Sequence, residues 1–220
     1  MKSSRSLRLV ALLVAVMSGA GIGSSARAAA VVSGFTLEDN ADVAGVHLAM
    51  NGAGWRQRGN VRIDVSALYT QQRVNSLGAL DRLPGVKRIE LIMLLDVSGA
   101  LASRAFVADF EAAATPAEFA QLINDVSAVG ALYSDLPRLR KGDVITMDVI
   151  PGKGIAGALN GHPMVARGSA SPYIGSDLMT RVLLRMYVGA NTSPELRDNL
   201  LGLSASMRDV VAPKGGSGIR

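Results

Sequence analysis

The stretch Asn51-Gly52-Ala53-Gly54-Trp55-Arg56, closely followed by Val61-Arg62-Ile63-Asp64-Val65-Ser66-Ala67-Leu68-Tyr69, constrains this chain more than any other. In the second run Val61, Ile63, Val65, Ala67 and Tyr69 share one face of a strand, while Arg62, Asp64 and Ser66 share the other. Two glycines within three residues read as a tight turn, because glycine reaches backbone conformations closed to other residues. Such a turn delivers Arg56 to the mouth of the strand, where a guanidinium grips an oxyanion or carboxylate through paired hydrogen bonds. An ordinary β-turn with a surface arginine produces the same pattern, so the order of the later segments has to decide between them.

Those segments alternate strands with helices. Residues 43–50 read as a strand entering the glycine turn, 78–85 as a loop, and 87–96 as a short apolar strand buried on both faces. Ser98 caps a helix with Leu101, Ala105, Phe106, Ala108 and Phe110 at helical spacing. Thr115-Pro116-Ala117-Glu118 opens a second, with cap, first-turn proline and capping-box glutamate in agreement; Phe119, Leu122, Ile123 and Val126 form its expected buried stripe. Lys141-Gly142-Asp143 introduces a strand over 144–150. Residues 155–159 return, Asn160-Gly161 turns, and 163–166 run back, which makes a β-meander. Helices over 174–187 and 194–201 follow, stopped by Gly189 and Gly202. Strands, two helices, a meander and further helices predict an α+β domain with a largely antiparallel sheet.

The first 28 residues have the form of a secretory leader. Lys2, Arg5 and Arg8 precede an apolar run over 9–17, and Ala26-Arg27-Ala28 supplies a small-x-small cleavage site. That run is too short to span a bilayer, and no later segment is longer and apolar enough. Export to the periplasm or beyond is expected. The expected organisation is leader 1–28, junction 29–42, domain 43–202 and a Gly/Ser-rich disordered tail over 203–220. Four of the 23 basic residues lie in the leader, leaving 19 against 18 acidic ones, so the high pI belongs to the leader. No like-charge block or basic-aromatic interleaving remains to bind nucleic acid. Without cysteine, stability is expected from packing, which about 190 residues can supply.

In their order, "NGAGWR", "VSALY", "GD" before a strand, "PGKG", "LNG", "YVG" and "SPELRDNLLG" resemble the chalcone isomerase-like family, particularly its small secreted bacterial members. The resemblance covers residues 43–202. It implies a curved sheet carrying a layer of helices, with a ligand cleft between them. In the catalytic plant relatives a cleft arginine stabilises a phenolate while a threonine and tyrosine network positions water and the ketone oxygen. No cofactor is involved. Members regarded as non-catalytic bind fatty acids, with the equivalent arginine on the carboxylate. Arg56 is the position that matches by motif. Asp64 stands where relatives carry a hydroxyl, and a carboxylate cannot donate at neutral pH. It can instead pair with Arg56 and neutralise it. Ala102 and Asp109 stand near the positions of the family's tyrosine and asparagine, and Thr180 is a loose match to a hydroxyl position near the last long helix.

Other motifs carry less. Gly152-Lys153-Gly154-Ile155-Ala156-Gly157 satisfies G-x-G-x-x-G, but Pro151 before it and Asn160-Gly161 after it leave no room for a helix facing a pyrophosphate. It reads as a hairpin turn. His47 and His162, the only histidines, have no partner at metal-ligand spacing. Met147, Met164, Met179 and Met186 read as core gap-fillers. The leading expectation is a non-catalytic domain that binds a small amphipathic ligand, such as a fatty acid, at Arg56, Asp64 and Thr180, with no metal or cofactor. A cofactor-independent isomerase or intramolecular lyase, with Arg56 stabilising an oxyanion and Asp64 as base, is the alternative. An envelope interaction module whose cleft is vestigial and filled by side chains such as Leu183 or Phe106 is the third.

Overall fold

The computed structural model describes residues 29–32 and 34–204; the expected leader and nearly all of the expected tail lie outside them. The strands are β1 (Ala29–Val32), β2 (Phe35–Glu38), β3 (Asn40–Val43), β4 (Val46–Arg58), β5 (Val61–Thr70), β6 (Lys87–Met93), β7 (Val97–Ser98), β8 (Arg138–Leu139), β9 (Val144–Ile150), β10 (Gly154–Leu159), β11 (His162–Met164) and β12 (Tyr173–Ile174). The helices are α1 (Leu77–Arg82), α2 (Gly99–Ala113), α3 (Pro116–Ser134), α4 (Asp177–Val188) and α5 (Pro194–Leu200). The main sheet runs β11-β10-β9-β6-β5-β4-β3, with β12 added to β10, and all its pairings are antiparallel. The α+β class and the meander of β9, β10 and β11 are as the sequence predicts.

Each face of the sheet carries an apolar cluster, the second beside a cross-strand Arg88–Asp148 ion pair. Leu68, Ile89, Leu91, Met93, Ile145 and Met147 face the helical layer, where Phe106, Phe110, Leu122, Val126 and Leu183 meet them. The opposite face buries Leu48, Met50, Ala53, Val65, Ala67 and Tyr69 with Leu37 of β2. The stretch 29–42, expected as a junction, therefore contributes three strands. Leu37 of β2 and Ala41 and Val43 of β3 are buried in the cluster on the sheet's second face, with Phe35 packed against it.

Local signals hold where they are self-contained. The Thr115 hydroxyl accepts from the Glu118 backbone N–H at 3.2 Å while the Glu118 carboxylate accepts from the Thr115 N–H at 2.8 Å, a complete capping box. Ser98 caps α2, and Asn160 and Gly161, at φ 51° and 79°, close the β10–β11 hairpin. Gly152-to-Gly157 forms the β9–β10 turn and the strand after it. Other expectations need correction. Residues 77–82 form α1, capped by Ser76 with Leu80 buried, rather than a loop. The long helix starts at Asp177 rather than 174, where β12 is occupied with pairing to β10. Ile123, expected in the buried stripe of α3, is exposed, as are Leu101 and Ala108 of the helically spaced set in α2.

The largest correction concerns the glycines. Residues 51–56 form no turn: β4 runs unbroken through them, paired with β5. A Cβ on Gly52 would lie 2.1 Å from the Asn199 carbonyl oxygen, and one on Gly54 would lie 3.0 Å from the Asn199 side chain. The glycines serve the close approach of α5 to the sheet. Asn51 anchors this contact from within the core, donating to the Leu200 and Val74 carbonyls at 2.7 and 2.9 Å and accepting from the Val74 N–H at 2.8 Å. Gly52→Ala is expected to lift α5 and cost at least about 2 kcal/mol, read as a lower urea midpoint with little change in slope.

Glu118 also ties the helices together. Arg185 of α4 donates to its carboxylate at 2.8 and 3.3 Å and to the Ala113 carbonyl at 3.1 Å. The hydrogen bonds from Arg185 and from the Thr115 N–H hold the Glu118 carboxyl down at about 2. Its folded value lies below its ordinary 4.5, so this contribution is complete above about pH 4.5 and disappears as the pH falls toward 2. In Glu118→Gln the acid limb of the stability curve over that window is expected to be shallower than in the parent, as thermal unfolding at stepped pH would show.

Candidate functional site

The path of Arg56 into the site begins with a β-bulge. Met50 pairs with Tyr69 and Gly52 with Leu68, so Asn51 is an extra residue in β4. Before it, Leu48 and Met50 lie on the face away from the helices; after it, Ala53 takes that face and Arg56 turns toward the helical layer. In a regular strand Arg56 would share the face of Leu48 and Met50. A second irregularity follows: Arg56 pairs with Asp64 but Gln57 pairs with Arg62, leaving Ile63 extra in β5. Ile63 thereby packs against the helix-side core beside Asp64, which corrects the expected face it was to share with Val65 and Tyr69.

Arg56 and Asp64 are direct cross-strand neighbours between the two bulges. Arg56 Nε and Nη2 donate to Asp64 Oδ2 at 2.9 and 2.6 Å, and Ser66 Oγ donates to Asp64 Oδ1 at 2.8 Å. Asp64 has no exposed surface, whereas the Arg56 side chain is 26% exposed. From α2, Asp109 Oδ2 accepts from Arg56 Nη1 at 3.2 Å, and its two oxygens accept from Arg58 Nη2 at 2.5 and 2.6 Å. Two guanidinium groups thus face two carboxylates. Burial works against the charge on Arg56, but Asp64 beside it more than offsets this, and the guanidinium is held protonated.

Arg56 stands between a polar mouth and an apolar interior. The mouth, about 150 Å³, is lined by Arg56, Arg58, Asp109, Arg185, Asn191 and Thr192 among others. Behind Arg56 lies a chamber of about 60 Å³ whose walls include Ile63, Leu91, Met93, Ala102, Phe106, Tyr133, Met186 and Tyr187. Phe106, Tyr133 and Ile145 also line a deeper chamber of about 30 Å³, completed by Val129, Met147, Gly157, Met164, Met179 and Leu183. Three of the four methionines expected as gap-fillers therefore border this inner space. Each chamber has room for a few waters. A larger guest enters only by displacing side chains.

Sequence reasoning missed two polar groups here. Tyr133 of α3 and Tyr187 of α4 converge on the Arg56 chamber, with the Arg56 guanidinium 5.8 Å from the centre of the Tyr187 ring. Neither phenol has a hydrogen-bond partner among the described residues, and burial pushes both upward in pKa, Tyr133 to about 12, so both are neutral O–H donors. Their only signals in the sequence were the "YVG" of the family resemblance and the scarcity of tyrosine. Ala102 and Asp109, the positions expected near the family's tyrosine and asparagine, do fall in this region. Thr180 does not. Its hydroxyl donates to the Asp177 carbonyl at 2.9 Å, and it borders a separate depression with Lys87 and Arg181. His47 lies on the β3–β4 hairpin with Nδ1 2.9 Å from Asp42, away from the cleft. No cluster of three potential metal ligands occurs among the described residues.

A curved antiparallel sheet carrying a helical layer, with an arginine–carboxylate cluster between a polar opening and an apolar space, defines the α+β fold of this chain. The chain belongs to the chalcone isomerase-like family, whose model matches residues 29–202. Among solved structures it is similar to a fatty-acid binding protein of Arabidopsis thaliana, at TM-score 0.62 and 14% identity, over 81% of this chain and 98% of that one. No curated protein matches the sequence significantly.

Asp64→Asn keeps the shape of the side chain but leaves Arg56 without its buried counter-charge. A loss of about 2–3 kcal/mol is expected, below the fully buried range because Arg56 keeps solvent contact. Asp109→Asn, at a partly exposed pair, should cost about 1 kcal/mol or less. Urea unfolding of both variants checks the order.

Proposed function

We propose that this protein is a non-catalytic carrier or sensor of a small amphipathic ligand, with the apolar part between sheet and helices and the oxygen-bearing head at Arg56. The observation that carries this reading is the sequence of spaces along one path: polar mouth, Arg56, then two apolar chambers joined at Phe106, Tyr133 and Ile145. The fatty-acid binding of the plant structural neighbour makes long-chain acyl compounds the first class to test. The methionines around the inner chamber supply walls that can repack around a chain. Asp64 speaks against the isomerase reading, since both its oxygens already accept hydrogen bonds and it is closed to solvent. We also propose that the protein works outside the cytoplasm. The leader-like residues 1–28 support this, and a mature mass that begins near residue 29 would test it.

A second reading has one observation in its favour. Chambers of about 60 and 30 Å³ fall far short of the several hundred that ligand pockets commonly enclose. Phe106 and Leu183 are among the side chains that close them, as a vestigial cleft would require. Native mass spectrometry of protein from its own host, with organic extraction, separates the two. A bound species of defined mass is expected, and Gly157→Leu, which places a side chain in the inner chamber from a strand position with 3.8 Å of clearance to Met164, should abolish it while the protein stays folded. An apo mass together with no affinity for acyl chains would favour the vestigial cleft.

A further inference from the structure

The head of the cleft contains its own counter-ions. Arg56 gives Nε–H and one Nη2–H to Asp64 and one Nη1–H to Asp109, while Arg58 holds the other side of Asp109. The formal charges of these four side chains cancel. Asp64 is enclosed and cannot move into solvent, so a ligand cannot separate it from Arg56 without stranding a buried charge. An incoming carboxylate would have to share Arg56 with two carboxylates already on it, in a chamber whose remaining walls carry no charge. What the chamber lacks is an acceptor. Tyr133 and Tyr187 bring two neutral O–H groups to it from different helices, neither of them hydrogen-bonded among the described residues, and Arg56 keeps one N–H on each terminal nitrogen.

We propose that the ligand's head group is an uncharged carbonyl, as in an ester, ketone or aldehyde of an acyl chain, held by Tyr133, Tyr187 and the free N–H groups of Arg56, in preference to an ionised carboxylate. This rests on the amphipathic-ligand reading above and specifies the head. A carbonyl oxygen accepts two or more hydrogen bonds and adds no charge to a cluster already balanced. It leaves the Arg56–Asp64 and Arg56–Asp109 pairs in place. The phenols serve as donors in this arrangement and exchange no proton with the ligand.

The test is calorimetric titration of the full chain, near neutral pH, with three probes of equal chain length: dodecanoic acid, methyl dodecanoate and tridecan-2-one. The ester and the ketone are expected to bind at least about tenfold more tightly than the acid. Tyr133→Phe and Tyr187→Phe should each reduce that ratio, and Asp109→Asn, which removes one negative charge, should raise affinity for the acid alone. Tighter binding of the acid, or a ratio unmoved by either tyrosine variant, would overturn the carbonyl assignment and leave the amphipathic-ligand reading standing. No binding of any of the three would overturn both.

Discussion

A carboxylate with no exposed surface needs a cation, and much of this structure follows from supplying one to Asp64. Arg56 reaches it from the neighbouring strand only because Asn51 bulges out of the ladder and reverses the facing of every residue after it. Asn51 stays in that position because Val74 and Leu200 take its amide. Gly52 and Gly54 then lie under α5, where a larger residue at 52 would collide with the helix backbone and one at 54 would press on the Asn199 and Leu196 side chains. Bulge, glycines, helix docking and ion pair therefore form one unit. A buried ion pair is a poor source of net stability, since desolvation consumes most of its Coulomb attraction. Its effect here is on register, because a one-residue slip of β4 against β5 would leave Asp64 buried without a partner.

The same pair governs the chemistry of the cleft. Had position 64 carried the hydroxyl that the family resemblance implies, Arg56 would face the chamber with its charge uncompensated from the sheet. With Asp64 there, the guanidinium is pinned, oriented and matched, and the polar capacity of the chamber passes to two phenols from the helices. Behind them the walls are aliphatic and rich in methionine. A narrow space lined by unbranched, polarizable side chains widens at lower cost than one lined by branched ones, because methionine changes rotamer without creating strained contacts. The small resting volume and a ligand-binding role are therefore compatible, provided the guest brings enough apolar surface to offset the rearrangement.

The parts of this fold that were legible in the sequence are those decided within a few residues. Thr115 to Glu118 closes its capping box regardless of what surrounds it, Asn160-Gly161 requires two positive φ angles that asparagine and glycine tolerate, and the run from Val65 to Tyr69 reads as a strand on its own. The glycines of 51–54 were misread because a glycine that admits a helix and one that admits a turn look alike in sequence; α5, which distinguishes them, lies about 145 residues away. The strands within 29–42 and helix α1 are short, and tertiary packing rather than their own pattern holds them. At the candidate site, the pairing of Arg56 with Asp64 was legible from the two residues' chemistry. Tyr133 and Tyr187 were not, since two helices far apart in sequence bring them to one chamber and each has the spacing of an ordinary core residue. Thr180 failed for the opposite reason: it has a suitable hydroxyl, but its helix turns it to the other end of the sheet.

A shared fold at 14% identity constrains the space between sheet and helices far more than the group at its head. Backbone geometry decides where a chamber can exist and how long a chain it can accept once open. The charge of the head is decided by single residues, here by a carboxylate on β5 and another on α2. Exchanging either alters the electrostatics at the head of this space, at a cost in stability that is larger for the enclosed Asp64 than for the partly exposed Asp109. The identity of residue 64 therefore bears more directly on the head group that the proposed site would accept than the resemblance of the rest of the chain does. The constraint it sets is physical: an arginine already balanced by an enclosed aspartate cannot attract a second carboxylate as a free arginine does.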